Sequence, residues 1–297
     1  MASVPPPSSP YAFPHPGPPP PLPERPEGAP ESGPRWPAWT APVALIAGFG
    51  VALFGYILVG GVAGVAGADL DPDPPPWVNI VATVIQDLAL IGSALFFAQL
   101  SGRRPRARDF GLRRTGFWSG LGWMVAAWIS FFVFTIVWVS ALGIEERDDL
   151  PDELGADEST LALIAVGLLV TVVAPIAEEF FFRGFFFTAL RSWRGIWPAA
   201  IVTGLVFGGI HGGSAPVGYL VPLAVFGMAL CLLYVRTGSL FPCIALHALN
   251  NSLAFGVSQD WDWQIPVVML GANAIAFAVL LPFARGRPHG KDRRLVT

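Results

Sequence analysis

Long apolar stretches separated by short polar loops run through most of the chain. A transmembrane helix needs about 20 consecutive apolar residues. Stretches of this kind occur at roughly 41–67, 78–100, 117–143, 160–190, 196–212, 216–235, 239–257 and 264–284. The fifth of them is short and rich in glycine. The pattern predicts an all-α, polytopic integral membrane protein with about eight transmembrane helices.

The composition agrees with this class. Of 297 residues, 53% are hydrophobic and 13% are charged, whereas a soluble domain carries about 25% charged residues. The net charge of −3 gives no reason to expect a nucleic-acid partner. Cys231 and Cys243 lie in apolar stretches and have neither the number of a disulfide framework nor the spacing of a metal site. Lipid and a membrane-associated peptide or protein are the partners that we expect.

Three regions follow from the distribution of residue types. Residues 1–38 hold 15 of the 30 prolines, which predicts a disordered tail because such a segment cannot build a packed core. Residues 39–284 are expected to form the transmembrane helical domain. Residues 285–297 form a basic tail.

The loops alternate in charge along the chain. Residues 68–76 and 145–158 are acidic, whereas residues 101–115 and 191–195 are basic. Lys and Arg residues of membrane proteins remain on the cytoplasmic side. With eight spans, every basic segment falls on one side, so the pattern predicts a cell-membrane protein with both termini in the cytoplasm.

Three charges interrupt the apolar sequence APIAEEFFFRGFFF at 174–187. A charged residue at the centre of a transmembrane helix costs about 2.5–3.5 kcal/mol on insertion scales, so such residues face partners or cavities. Glu179 and Arg183 are four residues apart and can pair on one helix face. Glu178 is rotated about 100° away from Glu179. A structural ion pair with a spare acid is one interpretation, and a reactive Glu178 oriented by this pair is the other.

Two of the four histidines also lie in apolar stretches. At 1.5 Å per helical residue, Glu178 and His211 lie roughly 20 and 24 Å from the basic loops. His247 and Asn251 lie roughly 16 and 22 Å from the same side. These four side chains are therefore expected in one layer near mid-bilayer, where they meet if the fourth, fifth and seventh spans are neighbours.

This set of side chains fits hydrolysis of an acyl bond, most simply a peptide bond. Glu178 can act as a general base on a water molecule held between it and His211. His247 and Asn251 can donate N–H groups to the oxyanion that forms. No serine or cysteine nucleophile and no cofactor is required. One glutamate and two histidines could also hold zinc. However, the chain has no H-E-x-x-H motif. Metal-free hydrolysis therefore ranks first and a zinc-dependent version of the same protease second.

The same residues resemble the three motifs of the CAAX protease and bacteriocin-processing (CPBP or Abi) family, in particular its type 2 CAAX prenyl proteases. The motifs EExxxR, FxxxH and HxxxN correspond in order to Glu178, Glu179 and Arg183, to Phe207 and His211, and to His247 and Asn251. The resemblance covers residues 160–257, about a third of the chain.

The resemblance implies an eight-helix intramembrane endopeptidase. By it, the first glutamate and first histidine activate water, and the second histidine and the asparagine form the oxyanion site. Eukaryotic members of the family remove a C-terminal tripeptide from prenylated proteins. Bacterial relatives are linked to the processing of peptide bacteriocins or to immunity against them. Older descriptions of the family treat it as metal-dependent.

Two other functions compete with proteolysis. A non-catalytic membrane scaffold or bacteriocin-immunity protein could keep the polar cluster for helix packing. A transporter could use intramembrane acids as a proton relay, although the chain shows no paired half-repeats of broken helices. A further intramembrane acid, Asp87, is expected to line the cavity or to pair with Arg183 in a structural contact.

Overall fold

The computed structural model describes residues 36–70, 74–102, 104–145 and 150–284. Almost all of the proline-rich segment, the basic tail at 285–297 and part of the acidic loop at 145–158 lie outside these ranges. Within them the chain forms nine helices and no β-strand. The helices are α1 (Thr40–Val65), α2 (Pro76–Gln99), α3 (Phe117–Leu142), α4 (Leu150–Glu153), α5 (Thr160–Arg194), α6 (Ile196–Ile210), α7 (Leu220–Thr237), α8 (Leu240–Ser258) and α9 (Gln264–Ala284).

The predicted class, an all-α polytopic membrane protein, is confirmed. Seven of the described helices, counting α7 with the short turn before it, are long and apolar enough to cross a membrane. The exception among the predicted spans is the fifth. Helix α6 has 15 residues, which corresponds to about 22 Å, less than the hydrocarbon thickness of about 30 Å.

Burial separates the central helices from the peripheral ones. In the most apolar stretch of α8, 67% of the residues are buried, against 6% in α3 and 11% in α1. The apolar faces that α1 and α3 leave exposed are those of helices bathed in lipid. Helix α8 is therefore surrounded by the other helices, and α5 packs directly against it.

Helix α5 is the irregular element of the fold. Two π-helical segments, Leu169–Val173 and Phe180–Phe187, flank a regular turn at Ala174–Glu179. Pro175 has no N–H, so it cannot complete the backbone bonding of the turn before it. The N–H of Ala174 bonds the carbonyl of Leu169, five residues back, and Pro175 occupies the next donor position, which leaves the carbonyl of Val170 free for another partner. Such π segments are frequent at functional sites.

Loops of like charge lie together. The Asn79 amide, near the start of α2, donates to the Glu153 carbonyl at 3.4 Å, and the Gln259 amide donates to a carboxylate oxygen of Asp152 at 3.2 Å. These contacts join the loops before α2, around α4 and after α8. We call this end of the molecule the acidic face, comprising the described residues of 66–75, 143–159, 211–219 and 259–263.

The opposite end holds the basic loops. The Ser239 hydroxyl donates to the Arg113 carbonyl at 2.6 Å, and the Leu240 N–H donates to the Gly111 carbonyl at 2.9 Å. These bonds fasten the loop between α2 and α3 to the turn between α7 and α8. We call this end the basic face, comprising the described residues of 100–116, 191–195 and 237–239. The grouping is the one that the alternating loop charges predict.

Helices α6 and α7 approach closely at Gly204. A Cβ atom at this position would lie 2.5 Å from the Ala224 carbonyl oxygen and 3.0 Å from the Met228 nitrogen. We expect Gly204→Ala to lower the free energy of unfolding by about 1–3 kcal/mol, because two backbones must separate. Thermal unfolding in detergent measures the change. The matched control is Gly209→Ala on the same helix, where nothing lies within 4 Å; equal unfolding midpoints for the two variants would contradict this packing.

Candidate active site

A cavity of about 680 Å³ opens among the central helices. Glu178 from α5, His211 at the end of α6, and His247 and Asn251 from α8 all line it. Phe207, one turn before His211, lines it as well. The structure thus brings the four candidate catalytic side chains of the sequence analysis to the wall of one cavity, although they come from three helices.

Glu179 and Arg183 lie behind the cavity wall rather than in it. Both side chains are fully buried, and Arg183 Nη1 is 2.7 Å from Glu179 Oε1. Arg183 Nη2 donates to the Gly227 carbonyl at 2.9 Å. The guanidinium also lies over the ring of Phe207, 4.6 Å from its centroid, a cation–π arrangement. The arginine charge is therefore compensated inside the protein, on the α7 side of α5.

His247 connects the buried ion pair to the cavity. Its Nδ1 is 2.9 Å from Glu179 Oε1, and its Nε2 is 3.8 Å from Glu178 Oε2. Glu179 Oε1 also accepts from Arg183, so this carboxylate is the acceptor and His247 Nδ1 carries the hydrogen. The sequence analysis expected the Glu179–Arg183 pair to orient Glu178. In the structure Glu179 bonds His247 instead. The ion pair therefore orients this imidazole rather than Glu178.

Aromatic rings hold the two histidines in place. The His247 ring meets Phe207 and Phe226 edge-on, with centroids 5.7 and 5.6 Å apart. Phe207 also contacts the His211 ring at 4.9 Å. The phenylalanine of the FxxxH motif therefore touches both imidazoles and the guanidinium of Arg183, which gives its ring a positioning role.

His211 has a defined hydrogen-bonding pattern. Its Nδ1 lies 2.7 Å from the Phe207 carbonyl oxygen. A carbonyl can only accept, so Nδ1 carries the hydrogen and Nε2 of the neutral ring has a free lone pair. The four-residue spacing of the motif produces this bond within one helical turn. His211 consequently has an acceptor nitrogen available for a water molecule in the cavity.

Asn251 is tied to the irregular helix. Its amide donates to the Val170 carbonyl at 3.0 Å, the oxygen that Pro175 leaves without a backbone donor. The sequence analysis expected Asn251 to offer N–H donors to a substrate. One of its two N–H groups is used by Val170, so one remains for that purpose.

Asp87 is the cavity residue that the sequence analysis left out of its candidate set. It is 2% exposed and lines the same cavity as Glu178. One carboxylate oxygen, Oδ2, has no hydrogen-bond partner within the described part of the chain. Arg183, its expected alternative partner, is bonded to Glu179 and Gly227 instead. The signal was present in the sequence, because Thr83, Gln86 and Asp87 form a polar face on an otherwise apolar helix.

The positions of the cavity side chains bear on the zinc alternative. Among the residues that the structure describes, no group of three or more His, Cys, Asp and Glu side chains is placed to hold a metal ion. The Nδ1 atoms of both His211 and His247 are engaged by protein acceptors, which leaves Nε2 of each ring as the nitrogen available to a water molecule or a metal ion.

Comparison with known proteins shows that a protein-family model matches part of the chain. The family model described as "Type II CAAX prenyl endopeptidase Rce1-like" matches residues 160–253. These residues include all three motifs and run from the start of α5 into α8.

One curated relative extends beyond this region. An "Uncharacterized 24.3 kDa protein" of Escherichia coli is 29% identical over 142 residues, which cover 46% of this chain and 64% of the relative. The chain thus spans somewhat less than two thirds of the length of that relative, and its printed name states no activity. No solved structure matches the chain. Residues 160–253 of this multi-pass membrane protein, which carry all three motifs, are therefore similar to the type II CAAX prenyl endopeptidases of the CAAX protease and bacteriocin-processing family.

Proposed function

We propose that the protein is an intramembrane endopeptidase that hydrolyses a peptide bond with water activated by Glu178 and His211. The observation that carries the proposal is the single cavity lined by Glu178, His211, His247 and Asn251. Glu178 differs from Glu179 in the way that catalysis requires. Glu179 Oε1 bonds Arg183 and His247 behind the cavity wall, whereas Glu178 lines the cavity and its Oε2 has no hydrogen-bond partner among the described residues.

Water activation follows from the acceptors that face the cavity. Glu178 takes a proton from the water molecule while its oxygen attacks the scissile carbonyl carbon. His211 orients this water through the free lone pair of Nε2, since Nδ1 is bonded to Phe207. When the tetrahedral intermediate collapses, the C–N bond breaks and the proton returns from Glu178 to the leaving amine. Atoms and charge balance, and the glutamate is restored.

Oxyanion stabilisation falls to His247 and Asn251. His247 Nδ1 already donates to Glu179, so its Nε2 donates only when the ring is protonated. The Glu179 carboxylate on one side of the ring compensates that charge, and so does the oxyanion itself once Glu178 has taken the proton from water. The second N–H of Asn251 supplies the other donor. Preorganised donors of this kind are each worth about 10²–10³ in kcat.

Asp87 contributes a second carboxyl group to the cavity. We expect it to bind the leaving amine or the water network beside Glu178, because its buried Oδ2 has no other described partner. Asp87→Asn should lower kcat by about 10–100-fold, less than the 10²–10⁴-fold of a general acid or base, with little change in KM. Steady-state cleavage kinetics measure both constants. The control is Asp157→Asn, an exposed acid of the acidic face; equal rates for both variants would remove Asp87 from the site.

The family match and the apolar lining of the cavity both support a proposal for the class of substrate. Phe49, Phe131, Phe132, Leu223 and Phe226 line much of the cavity, and such a surface suits an apolar or lipidated peptide. We propose CAAX-type C-terminal processing of lipidated or membrane-associated peptides in the cell membrane. We further propose that both termini lie in the cytoplasm, because arginine-bearing loops remain on that side of a membrane.

The experiment that tests the function is cleavage by purified protein in detergent. A library of peptides and lipidated peptides is incubated with the wild-type protein, and products are identified by mass spectrometry. We expect a discrete cleavage product whose formation persists in the presence of a zinc chelator. Loss of cleavage with chelator and recovery with added zinc would favour the zinc-dependent version. Absence of cleavage across the library would favour a non-catalytic scaffold or immunity protein.

A further inference from the structure

A second cavity of about 420 Å³ adjoins the main cavity, which holds the candidate catalytic residues. It lies between α1 and α2 and reaches the acidic face at Glu153 and Ser214. Thr83 and Gln86 of α2 line both cavities. The two cavities therefore meet along α2.

A polar face of α2 follows this junction. Asn79, Thr83 and Gln86 are four and three residues apart, which puts their side chains on one side of the helix. Asp87 stands at the inner end, about one helical turn beyond Thr83. Leu88 is rotated about 200° from Gln86 and is 62% exposed on the apolar side of the helix. The polar face of α2 thus leads from the acidic face of the molecule to the main cavity.

The side chains of this polar face have hydrogen-bonding atoms left for water. The Asn79 amide donates to a backbone carbonyl of α4, and the Thr83 hydroxyl donates to the Asn79 carbonyl at 2.8 Å, so the side-chain oxygens of both can still accept. The Gln86 amide adds an acceptor and two N–H groups. At the inner end, Asp87 Oδ2 and Glu178 Oε2 have no hydrogen-bond partner in the part of the molecule that the structure describes. Buried water bonds such groups and needs about two to four polar partners.

The main cavity offers water a poorer path. Much of its wall is aromatic, with Phe131, Phe132 and Phe226 among its residues, and a bound peptide would fill the space between them. Hydrolysis nevertheless consumes a water molecule in each turnover, because its hydroxyl group goes to the acyl carbon and its hydrogen to the leaving amine. Replacement water must therefore reach Glu178 by a path that the peptide does not occupy.

We propose that the second cavity and the polar face of α2 form a water route that supplies Glu178 while a peptide occupies the main cavity. The need for water rests on the proposed function, whereas the access of water to this face rests on its polar lining alone. A lipid chain in the second cavity would leave these polar groups without partners, at a cost in free energy. The route carries water and no peptide, so it is independent of the side from which the peptide arrives.

Cysteine labelling tests the route without requiring catalysis. The native Cys231 and Cys243 are buried and are first replaced by alanine, and Gln86→Cys or Leu88→Cys is then introduced. The protein is reconstituted in liposomes, and a small charged methanethiosulfonate is supplied on both sides of the membrane. A thiol reacts as the thiolate, which forms in water and not in lipid, so Gln86→Cys should react about tenfold faster than Leu88→Cys, or more. This order is the reverse of the exposure of the two positions, since Leu88 is exposed and Gln86 half-buried. Equal protection of both cysteines would overturn the route.

Blocking variants distinguish the second cavity from the main one. Ala82 lines the second cavity but not the main one. Ala82→Phe should slow the modification of Gln86→Cys and lower kcat for peptide cleavage with KM unchanged. Ala82→Ser, the matched control, leaves space for water and should keep both rates. Leu53→Trp fills the second cavity from an exposed position on α1 and replaces Ala82→Phe if that protein has a lowered unfolding midpoint.

The outcomes separate this route from the proposed function. Unchanged modification of Gln86→Cys in both blocking variants would show that the reagent arrives through the main cavity, and the route would be wrong. Slowed modification with an unchanged kcat would show a water-filled cavity that does not supply the reaction, which also overturns the proposal. A wild-type protein that cleaves no peptide would contradict the proposed function, and the labelling would still decide whether water enters along α2.

Discussion

Glu178→Gln is expected to reduce kcat/KM for peptide cleavage by about 10²–10⁴-fold, the contribution of a positioned general base. Glutamine keeps the size of the side chain but cannot accept the proton of the attacking water. The fold should be unaffected, because Glu178 Oε2 has no hydrogen-bond partner within the described residues and its contact with His247 Nε2 is 3.8 Å long. Cleavage kinetics and thermal unfolding of the same preparation measure both effects.

Two variants provide the comparison. Glu158→Gln removes an exposed acid from the acidic face and should keep the wild-type rate. Glu179→Gln should lower both the rate and the unfolding midpoint, because it weakens the bonds to Arg183 and His247. A Glu178→Gln protein that cleaves as fast as Glu158→Gln would eliminate Glu178 as the base.

Arg183→Met is expected to have the largest effect on stability. Removal of one partner from a buried ion pair costs about 3–5 kcal/mol, because the other charge is left uncompensated in a medium of low polarity. Here His247 Nδ1 would be the one donor left to Glu179 among the described residues, and the Gly227 carbonyl would lose its bond from Nη2. Thermal or denaturant unfolding in detergent measures the loss.

The matched control for Arg183→Met is Arg194→Met, an exposed arginine in the same helix whose guanidinium lies over Trp193. Its effect should remain below about 1 kcal/mol, as for exposed charged contacts. The double variant Arg183→Met with Glu179→Gln should recover part of the stability, since both charges are removed together. Additive losses in the double variant, or a wild-type midpoint for Arg183→Met, would show that the pair does not act as a buried unit.

Most of the helical architecture could be predicted from the sequence. Runs of apolar residues determine where a chain can lie in lipid, and seven long helices agree with seven of the eight predicted stretches. Helix α6 is the informative case. Its glycines, Gly204 and Gly208, allow close contact with α7, and the helix ends at Ile210, so its last turn gives way to the loop that carries His211 into the cavity. The apolar pattern of a sequence does not indicate the residue at which such a short helix ends.

The irregular backbone of α5 was only partly predictable. Pro175 indicates that the helix is disturbed, but it does not specify the register of the backbone around it. At the first π segment, the Val170 carbonyl receives its hydrogen bond from Asn251 of α8, far along the chain. A long-range contact of this kind has no local sequence signature.

For the candidate site, residue types and depth were predictable, and the bonding pattern was not. The common layer of Glu178, His211, His247 and Asn251 follows from helix geometry and loop charge. That Glu179 bonds His247 depends on the rotation of α8 against α5, which spacing alone does not determine. Asp87 was left aside because a structural polar contact was the favoured interpretation of this acid, although Thr83 and Gln86 lie on the same helix face. Its position in the cavity depends on the packing of α2 against α5.

The most direct test of the central claim is an experimental structure of the Glu178→Gln protein with an uncleaved peptide bound. We expect the scissile carbonyl carbon to lie about 3–3.5 Å from a water molecule that contacts both residue 178 and His211 Nε2. The carbonyl oxygen should point to His247 and Asn251. A peptide bound elsewhere, or a carbonyl that no water reaches from the side of residue 178 and His211, would contradict the mechanism.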